Sequence, residues 1–460
     1  MATRSLTGLA GSALQTGALL GSGAIDAETL TAQTLAGIAA CDDPAIFTVV
    51  TAQRARAEAR ASALRLREGR ARGPLDGVAV AWKDLFDIAG LATTAGSRVL
   101  AEAPAATQDA AVVARLRDAG MVCVGRVNMT EFAYSGIGLN PHYGTPRNAH
   151  SADAPRVPGG SSSGSAVAVA RGLVPVSIGS DTGGSVRIPA AYNGIVGYKT
   201  SGGRYPMHGV FPLSHTLDTL GVLARSVGDA VAVDAALRGA VVPDVRARAL
   251  AGVRVLVPRN VVFDDIEPAV AANFADAITR LAQAGAVIEP TQFAPFDDVL
   301  ALLARHGTIV AAEAYALHKA RVEGPEADAM DQRVVTRIRL ASKFALPDYI
   351  ALLQARGRLI AQAASLLAGG SVIAFPTIAH TAPRIADLQA DDALFWRYNA
   401  RTLRNTMLGN FLDWCGVTVP TGVDTAGLPT SLLLSGAPGA DDALLALALT
   451  AEPVIRGDAT

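Results

Sequence analysis

The sequence predicts an α/β fold, with a mixed central β-sheet covered by helices on both faces. Apolar strand-like segments alternate with amphipathic helical segments along much of the chain, which is typical of layered α/β proteins. Half of the 460 residues are hydrophobic and 18% are charged, so the chain can bury a large core. Large α/β enzymes often fold a chain of this length into one unit, and we predict one domain over residues 1–460.

The first part of the chain predicts helices and then a buried strand. Residues 26–68 have helical periodicity and predict two helices. The apolar run Val78–Trp82 suits a buried strand that ends at Lys83, so that the lysine is delivered to a loop. Between Asp109 and Asn128 an amphipathic segment with a glycine stop precedes a short apolar run, which predicts a helix followed by a strand.

The same alternation continues to the C-terminus. The segments SAVAVARG and LVPVSIGS predict a helix and a strand, and VRVLVPRN, EPAVAANFADAITRLAQAG and AVIEP predict strand, helix and strand. Residues 298–368 are nearly all helical in pattern, with breaks expected near Pro325 and Pro347. Strand signals return at SVIAFP and VTVPTG, so we expect the helical segment to cover the sheet as a cap.

The composition excludes several classes of protein. Forty basic and forty-one acidic residues give a net charge of −1 with no block of like charges, which argues against nucleic-acid binding. No apolar run is long enough for a membrane span, and the first 24 residues lack the continuous apolar segment of a secretory signal. Cys41, Cys123 and Cys415 have no metal-site or disulfide spacing. We expect a cytoplasmic protein without metal or cofactor.

Two tracts rich in glycine and serine carry the strongest functional signal. PGGSSSGS spans Pro158–Ser165, and SDTGGS spans Ser180–Ser185. Such tracts are commonly flexible linkers, but both lie within the predicted core. A phosphate-binding loop requires a lysine directly after its glycines, and no lysine follows until Lys199.

One interpretation of the first tract is an α/β-hydrolase esterase. Gly160-Ser-Ser162-Ser-Gly164 matches the nucleophile-elbow pattern G-x-S-x-G, with Ser162 at its centre. That pattern arises easily by chance in a tract of serines and glycines. It also requires a histidine, and the later histidines, none in a distinctive setting, are His208, His215, His306, His318 and His380.

Ser185 is the better candidate nucleophile. It follows Thr182-Gly183-Gly184 where a predicted strand turns, and glycines there let a carbonyl group approach exposed backbone N–H groups, as an oxyanion hole requires. No histidine lies between His150 and His208 to act as its base. A buried neutral lysine can accept a proton, so Lys83 is a candidate base, with a serine of the first tract as the relay.

These segments resemble the amidase signature family. PGGSSSGSAVAVARGLVPVSIGSDTGGSVRIPAAYNGIVGYKTS is similar to the signature segment of that family, and AVAWKDLFDIAGLATTAGS to its lysine segment. The resemblance extends through NMTEFAYSG, HGVFPLSHTLDTLG, FPTIAHTAPRI and AGLPTSLLLSGAPGADDALLAL, and fades over residues 240–370. It implies a hydrolase of carbon–nitrogen bonds other than peptide bonds, which cleaves an amide, carbamate or urea-type bond of a small molecule with a Ser-cisSer-Lys triad.

The resemblance implies a role for each matching residue. Ser185 is the expected nucleophile, Ser161 the cis-serine relay and Lys83 the general base. The backbone N–H groups of Thr182, Gly183, Gly184 and Ser185 are the expected oxyanion hole. The expected substrate contacts are Tyr134, for which buried packing is an equal alternative, Gly159 and Gly160.

Other residues are expected to support these. Asp181 and Arg187 are predicted to pair and brace the turn. Two departures from the family pattern stand out. In the first, Ser163 occupies the position of a glycine in the usual family sequence Gly-Gly-Ser-Ser-Gly-Gly. In the second, this chain has GYKT, with Tyr198 and Thr200, where the family usually has Gly-Leu-Lys-Pro.

The resemblance also implies a division of the chain within the single domain. Residues 1–70 supply N-terminal helices, 71–230 the catalytic signature core, 240–370 a variable and largely helical region, and 371–460 the C-terminal part of the core.

Three alternatives stay open. The first is the glutaminase subunit of a tRNA-dependent amidotransferase, which shares the triad but passes ammonia to a partner subunit, and which the sequence does not exclude. The other two are a catalytically silent binding subunit, and the esterase using Ser162. Many family members form homodimers, which the sequence leaves undecided.

Overall fold

A computed structural model describes residues 11–458. The first ten residues, which belong to the expected N-terminal helical region and to the segment tested for a secretory signal, lie outside the described residues, as do the last two. The strands are β1 Phe47–Val50, β2 Ala79–Lys83, β3 Val122–Val127, β4 Val176–Asp181, β5 Val196–Lys199, β6 Thr219–Ala224, β7 Arg254–Pro258, β8 Val287–Thr291, β9 Val372–Pro376, β10 Cys415–Val423 and β11 Pro429–Gly436.

Fifteen α-helices are present in the described part of the chain. They are α1 Ala13–Gly21, α2 Ala27–Ala39, α3 Ala52–Arg67, α4 Ala111–Asp118, α5 Ser163–Ala170, α6 Arg187–Tyr192, α7 Val227–Arg238, α8 Pro268–Gln283, α9 Ala294–His306, α10 Ile309–Glu323, α11 Gln332–Arg339, α12 Leu346–Leu366, α13 Ile385–Ala390, α14 Asp392–Phe411 and α15 Asp441–Arg456.

All eleven strands form one mixed sheet, in the order β1-β3-β2-β4-β6-β5-β10-β11-β9-β7-β8. Strand β2 is parallel to β3 and β4, and β7 is parallel to β8 and β9, while the remaining neighbours are antiparallel. The predicted α/β fold with a mixed central sheet is confirmed.

The alternation of side chains along β2 shows how the sheet is covered. Val80 and Trp82 join one hydrophobic cluster, which includes residues of α7 and α15, whereas Ala79 and Ala81 join another, which includes residues of α3 and α5. Successive side chains of a strand point to opposite faces, so helices cover both faces of the sheet. Lys83 ends this buried strand.

The helical segment predicted over residues 298–368 is observed as α9 to α12. The break near Pro325 is confirmed, because a 3₁₀ turn, Pro325–Ala329, follows α10. The break near Pro347 is also confirmed, because the chain is non-helical at Phe344 and Ala345 and α12 begins at Leu346. Pro347 lies in the first turn of α12, where a helix needs no N–H from it. Among residues 11–458, no helix combines the length and apolar character that a bilayer crossing demands.

Candidate active site

Lys83 lies at the C-terminal end of β2, between strands β3 and β4, and is completely buried. Its Nζ donates hydrogen bonds to Ser161 Oγ at 2.7 Å and to Ser180 Oγ at 2.8 Å. The surface salt bridge that Lys83 could have made with Asp84 does not form, because Asp84 pairs with Arg126 at 3.0 Å. The amine therefore faces two serine hydroxyls.

The environment of Lys83 makes its amine a weak base. Burial lowers its pKa from 10.5 to about 7, because an ammonium group loses its hydration there. The carboxylates of Asp181 and Asp218 oppose this change by attracting the charged form. At neutral pH a large share of the amine is unprotonated and can accept a proton.

Ser161 follows a cis peptide bond, Gly160-Ser161, and its side chain is fully buried beside Lys83. The side chains of the next two serines form other hydrogen bonds. Ser162 Oγ donates to the carbonyl of Ser180 at 3.3 Å, and Ser163, the departure from the family pattern, donates to the carbonyl of Asn128 at 3.2 Å. Of the serines in this tract, Ser161 is the one that meets the lysine.

The second tract forms the turn between β4 and α6, and Ser185 lies in that turn. The backbone carbonyl of Ser185 accepts a hydrogen bond from the N–H of Ser162 at 3.3 Å, which holds the two serine tracts together. Ser185 borders a small cavity of about 40 Å³, together with Thr182, Gly183 and Tyr134. The structure thus brings all three predicted triad residues to one place.

The carboxylate of Asp181 organises this turn. It accepts hydrogen bonds from the backbone N–H groups of Gly184 at 2.8 Å and Val186 at 3.1 Å, and forms a buried ion pair with Arg187 at 2.9 Å. The predicted pairing of Asp181 with Arg187 is confirmed. Burial alone would raise the pKa of Asp181, but the charge and hydrogen bonds of Arg187 outweigh it and hold that pKa well below its usual range.

The backbone N–H groups of the turn are not equivalent. Gly184 donates its N–H to Asp181, which counts against it as an oxyanion donor. Among residues 11–458, the N–H groups of Thr182, Gly183 and Ser185 have no backbone or side-chain acceptor. Gly184 instead gives the turn its shape, because its φ is +131° and a Cβ there would lie 2.1 Å from Thr406 Oγ1.

A second cavity, of about 230 Å³, adjoins the first. Thr182, Gly183, Tyr134 and Arg337 border both cavities, and apolar side chains of the helical segment and of α14 supply most of the remaining wall. Tyr134 therefore lines the candidate substrate site. The helical segment covers this part of the sheet, as expected for a cap.

Gly159 and Gly160, which were predicted to contact the substrate, lie away from the two cavities. Gly160 donates its N–H to the carbonyl of Gly136 at 2.8 Å, and a Cβ on Gly159 would collide with Tyr192 and Pro189. Neither glycine borders the two cavities. Both positions are used for close packing of the backbone next to Ser161.

The described histidine side chains are not positioned to act as a base for Ser162 or Ser185. Within the described part of the chain, no histidine ring is hydrogen-bonded to Ser162 or Ser185; His380, for example, contacts Thr402, and His306 contacts Asp348. A Ser-His esterase site at Ser162 therefore has no geometric support.

The sequence reasoning missed three residues at this site. Ser180 is the second partner of Lys83, and its position at the end of a predicted strand, in the quoted SDTGGS, was the available signal. Asp218 is partly buried and accepts a hydrogen bond from Thr182 Oγ1 at 2.6 Å. Arg337 lies in the helical region, where the resemblance fades, and no pattern set it apart from the other arginines.

Comparison with known proteins adds independent findings. The family model described as Amidase matches residues 29–445. The 2-amino-5-chloromuconic acid deaminase of Comamonas testosteroni is 38% identical over 408 residues, which cover 87% of each chain. A glutamyl-tRNA(Gln) amidotransferase subunit of Acidothermus cellulolyticus is 42% identical over 290 residues, 60% of this chain and 57% of that protein.

A comparison with solved structures supports the same family. A crystal structure described as an amidase superposes with a TM-score of 0.83 and 31% sequence identity, covering 95% of this chain and 98% of the other. The likeness extends over nearly the whole length of both chains, including the helical segment.

The buried ion pair at the turn gives a prediction about stability. Asp181→Asn removes one charge of a pair that is almost completely buried, and breaking such a pair costs about 3–5 kcal/mol. We expect a loss of that size in the free energy of unfolding, measured by urea denaturation. The control is Glu289→Gln, which breaks the exposed pair with Arg254 and should leave the transition nearly unchanged. Equal effects of the two substitutions would contradict the role given to Asp181.

Proposed function

Because the chain belongs to the Amidase family, we propose that it hydrolyses a carbon–nitrogen amide bond of a small molecule with Ser185 as nucleophile, Ser161 as relay and Lys83 as general base. The observation that carries this proposal is the contact of Lys83 Nζ with Ser161 Oγ at 2.7 Å, next to the turn that holds Ser185. The enzyme is an amidohydrolase, as its relatives are.

The first chemical step forms an acyl-enzyme. Neutral Lys83 accepts the proton of Ser161 Oγ, which accepts that of Ser185 Oγ as the latter attacks the amide carbonyl. The N–H groups of Thr182, Gly183 and Ser185 face the developing oxyanion, and each such donor contributes roughly 3–4 kcal/mol in the transition state.

The amine then leaves and water completes the reaction. The relay returns its proton to the leaving nitrogen, so that the amine departs as a neutral group. Water attacks the ester on Ser185 with the same serine and lysine as base, and the carboxylic acid is released. No step requires a proton from bulk solvent.

A second candidate function is the glutaminase activity of an amidotransferase subunit. The 42% identity to the amidotransferase subunit of Acidothermus cellulolyticus favours it, although the match covers only 60% of this chain. In that case a partner subunit would receive the ammonia. The match of the deaminase over 87% of both chains supports the first proposal instead.

The remaining features predicted from the sequence stay proposals. We propose a single domain in which residues 71–230 supply the catalytic groups and residues 240–370 supply walls of the substrate cavity. A cytoplasmic location and a homodimer stay predictions from the sequence and the resemblance.

The proposed triad can be tested with a fluorophosphonate probe. We expect a covalent adduct on Ser185, located by peptide mapping, that is absent in Ser185→Ala. In Lys83→Met, which keeps a side chain of similar size at a fully buried position, labelling should slow by about 10²–10⁴-fold, the usual contribution of a general base. Ser162→Ala is the matched control and should label normally. An adduct on Ser162 would refute the proposal.

The pKa of Lys83 predicts the pH dependence of the reaction. The folded-state pKa is about 7, below the ordinary 10.5, so the neutral and active form prevails above pH 7. Between pH 6 and pH 8 the rate of Ser185 labelling should rise about tenfold, following the fraction of neutral amine. A rate that stays flat from pH 6 to pH 9 would show that Lys83 is not the base.

The two candidate functions differ in their response to glutamine. As an independent amidase, the isolated chain should hydrolyse simple aliphatic amides and release no more ammonia from glutamine than from those amides. Ammonia production can be followed with a coupled glutamate dehydrogenase assay. Turnover of glutamine alone, with simple amides inert, would favour the amidotransferase function.

A further inference from the structure

The two cavities of the candidate site differ in size and meet at one place, which we call the neck. The smaller cavity, of about 40 Å³, is bordered by Ser185, and the larger has about 230 Å³. In the described part of the chain, Val310 and Leu403 are the aliphatic side chains that border both cavities. The residues common to the two cavities, which surround the neck, are Tyr134, Thr182, Gly183, Val310, Arg337 and Leu403.

Leu403 is fixed relative to the turn that holds Ser185, because α14 is hydrogen-bonded to that turn. Thr406 Oγ1 donates to the carbonyl of Gly183 at 2.7 Å, and Asn410 Nδ2 donates to Asp181 at 2.8 Å. Residues three, four and seven positions apart lie on one face of a helix, so Leu403 shares a face with these two anchors. The helix therefore holds Leu403 at the neck.

The side chain of Leu403 is also packed against the backbone around it. Asn399 lies one turn earlier on α14, and its Oδ1 accepts hydrogen bonds from Ser135 Oγ at 2.9 Å and from the N–H of Gly136 at 3.0 Å. A Cβ on Gly136 would lie 3.1 Å from Leu403 Cγ, and a Cβ on Gly183 would lie 3.6 Å from Leu403 Cδ2. Leu403 thus has little room to move away from the neck.

The other sides of the neck are held as well. Arg337 lies 4.2 Å over the ring of Tyr134 and donates to its backbone carbonyl at 2.9 Å. Val310 lies in the first turn of α10, and Glu313 of that turn accepts hydrogen bonds from the N–H of Thr216 at 3.0 Å and from the hydroxyl of Tyr349 at 2.7 Å. Because every side is held in this way, the width of the neck limits what can pass.

The smaller cavity has room for a carboxamide and little more. One water molecule needs about 10–15 Å³ of such space, so a cavity of about 40 Å³ takes about three non-hydrogen atoms. The carbon, oxygen and nitrogen of a carboxamide are three such atoms. When they occupy the smaller cavity beside Ser185, the carbon attached to the carbonyl group lies in the neck.

We propose that Leu403 and Val310 select substrates that are unbranched at the carbon next to the amide, so that the enzyme acts on straight-chain aliphatic amides. This rests on the proposed function, because it takes Ser185 as the nucleophile. The acyl chain passes the neck and lies in the larger cavity, whose wall is mostly apolar. A branch at the neck overpacks a site whose side chains cannot give way.

The test compares four amides of the same molecular formula. Hexanamide has a straight acyl chain, 2-ethylbutanamide is branched next to the amide, 4-methylpentanamide is branched only at its far end, and N-butylacetamide carries its chain on nitrogen. Hexanamide and 4-methylpentanamide should have similar kcat/KM, and 2-ethylbutanamide a value about 10- to 100-fold lower, the range expected for overpacking. A value for 2-ethylbutanamide or N-butylacetamide that equals or exceeds that of hexanamide would overturn the proposal.

Variants of the neck assign the preference to its side chains, because branching also slows attack on the carbonyl group itself. Hexanamide and 2-ethylbutanamide compete in one assay, so their ratio does not depend on how much of a variant is folded. In Leu403→Ala the preference for hexanamide should fall about tenfold, and Val310→Ala should lower it as well. An unchanged preference in both variants would refute the role of the neck.

Met407→Ala is the matched control. Met407 lies one turn after Leu403 on α14, is half-buried like Leu403, and borders the larger cavity but not the smaller. It should keep the full preference for hexanamide, since any change in the larger cavity affects the two competing amides beyond the neck. If Met407→Ala lowered the preference as much as Leu403→Ala, the selection would not lie at the neck and the proposal would fail.

Binding to Ser185→Ala, measured by ligand-observed NMR titration, separates this proposal from the proposed function. If the unmodified enzyme hydrolyses amides and Leu403→Ala keeps the preference, the amidase function stands and selection by the neck is wrong. If no amide is hydrolysed, but Ser185→Ala binds hexanamide more tightly than 2-ethylbutanamide and added Leu403→Ala removes this difference, the neck stands and the proposed function is wrong. If neither amide is hydrolysed or bound, both are wrong.

Discussion

The buried carboxylate of Asp181 is the interaction on which the site depends. It ends β4, receives two N–H groups of the following turn, and pairs with Arg187 at the start of α6 and with Asn410 of α14, whose Nδ2 donates to it at 2.8 Å. A single side chain thereby fixes the turn against a strand and two helices. Its negative charge also keeps the pKa of Lys83 from falling further than about 7, because it attracts the ammonium form. The same group therefore fixes the shape of the turn and opposes the effect of burial on the pKa of the lysine.

The sheet contributes polar side chains to the candidate site, and the helical segment contributes part of the cavity wall. Lys83 and Asp181 are the last residues of two adjacent parallel strands, β2 and β4, so the sheet brings their side chains to one edge. The helical segment contributes no catalytic group, but α10 and α11 form part of the cavity wall. In the proposed function, two neighbouring strands thus supply the base and the start of the nucleophile turn, and helices that pack over them supply part of the cavity wall. A change in the helices can alter the cavity without disturbing the strands that hold the base.

The polarity of the cavity follows from this division. On the side of the sheet, the cavity offers hydroxyl and backbone N–H groups, which suit a reacting carbonyl group. On the side of the helices, the wall is mostly apolar and carries the single guanidinium of Arg337. A cavity with polar groups at one end and a cation at the other can orient a bound molecule. Orientation of this kind is a large part of what an enzyme contributes to rate.

The sequence by itself determined the alternation of helices and strands, the burial of the strand that ends at Lys83, and the two serine tracts, because periodicity and glycine spacing are local properties. The family resemblance, which these motifs carry, selected Ser185, Ser161 and Lys83. The strands β1, β5, β6 and β11 were missed. Three of them have only four to six residues, which in a mixed sheet carry little pattern of their own. Tertiary structure alone decided the rest. Ser180 meets Lys83 across 97 residues, Asp181 takes the N–H of Gly184, and Arg337 reaches Tyr134 across 203 residues. The contacts with Ser180 and Arg337 depend on how distant segments pack, and the direction of an N–H group within a turn depends on its dihedral angles, so no local pattern in the chain encodes them.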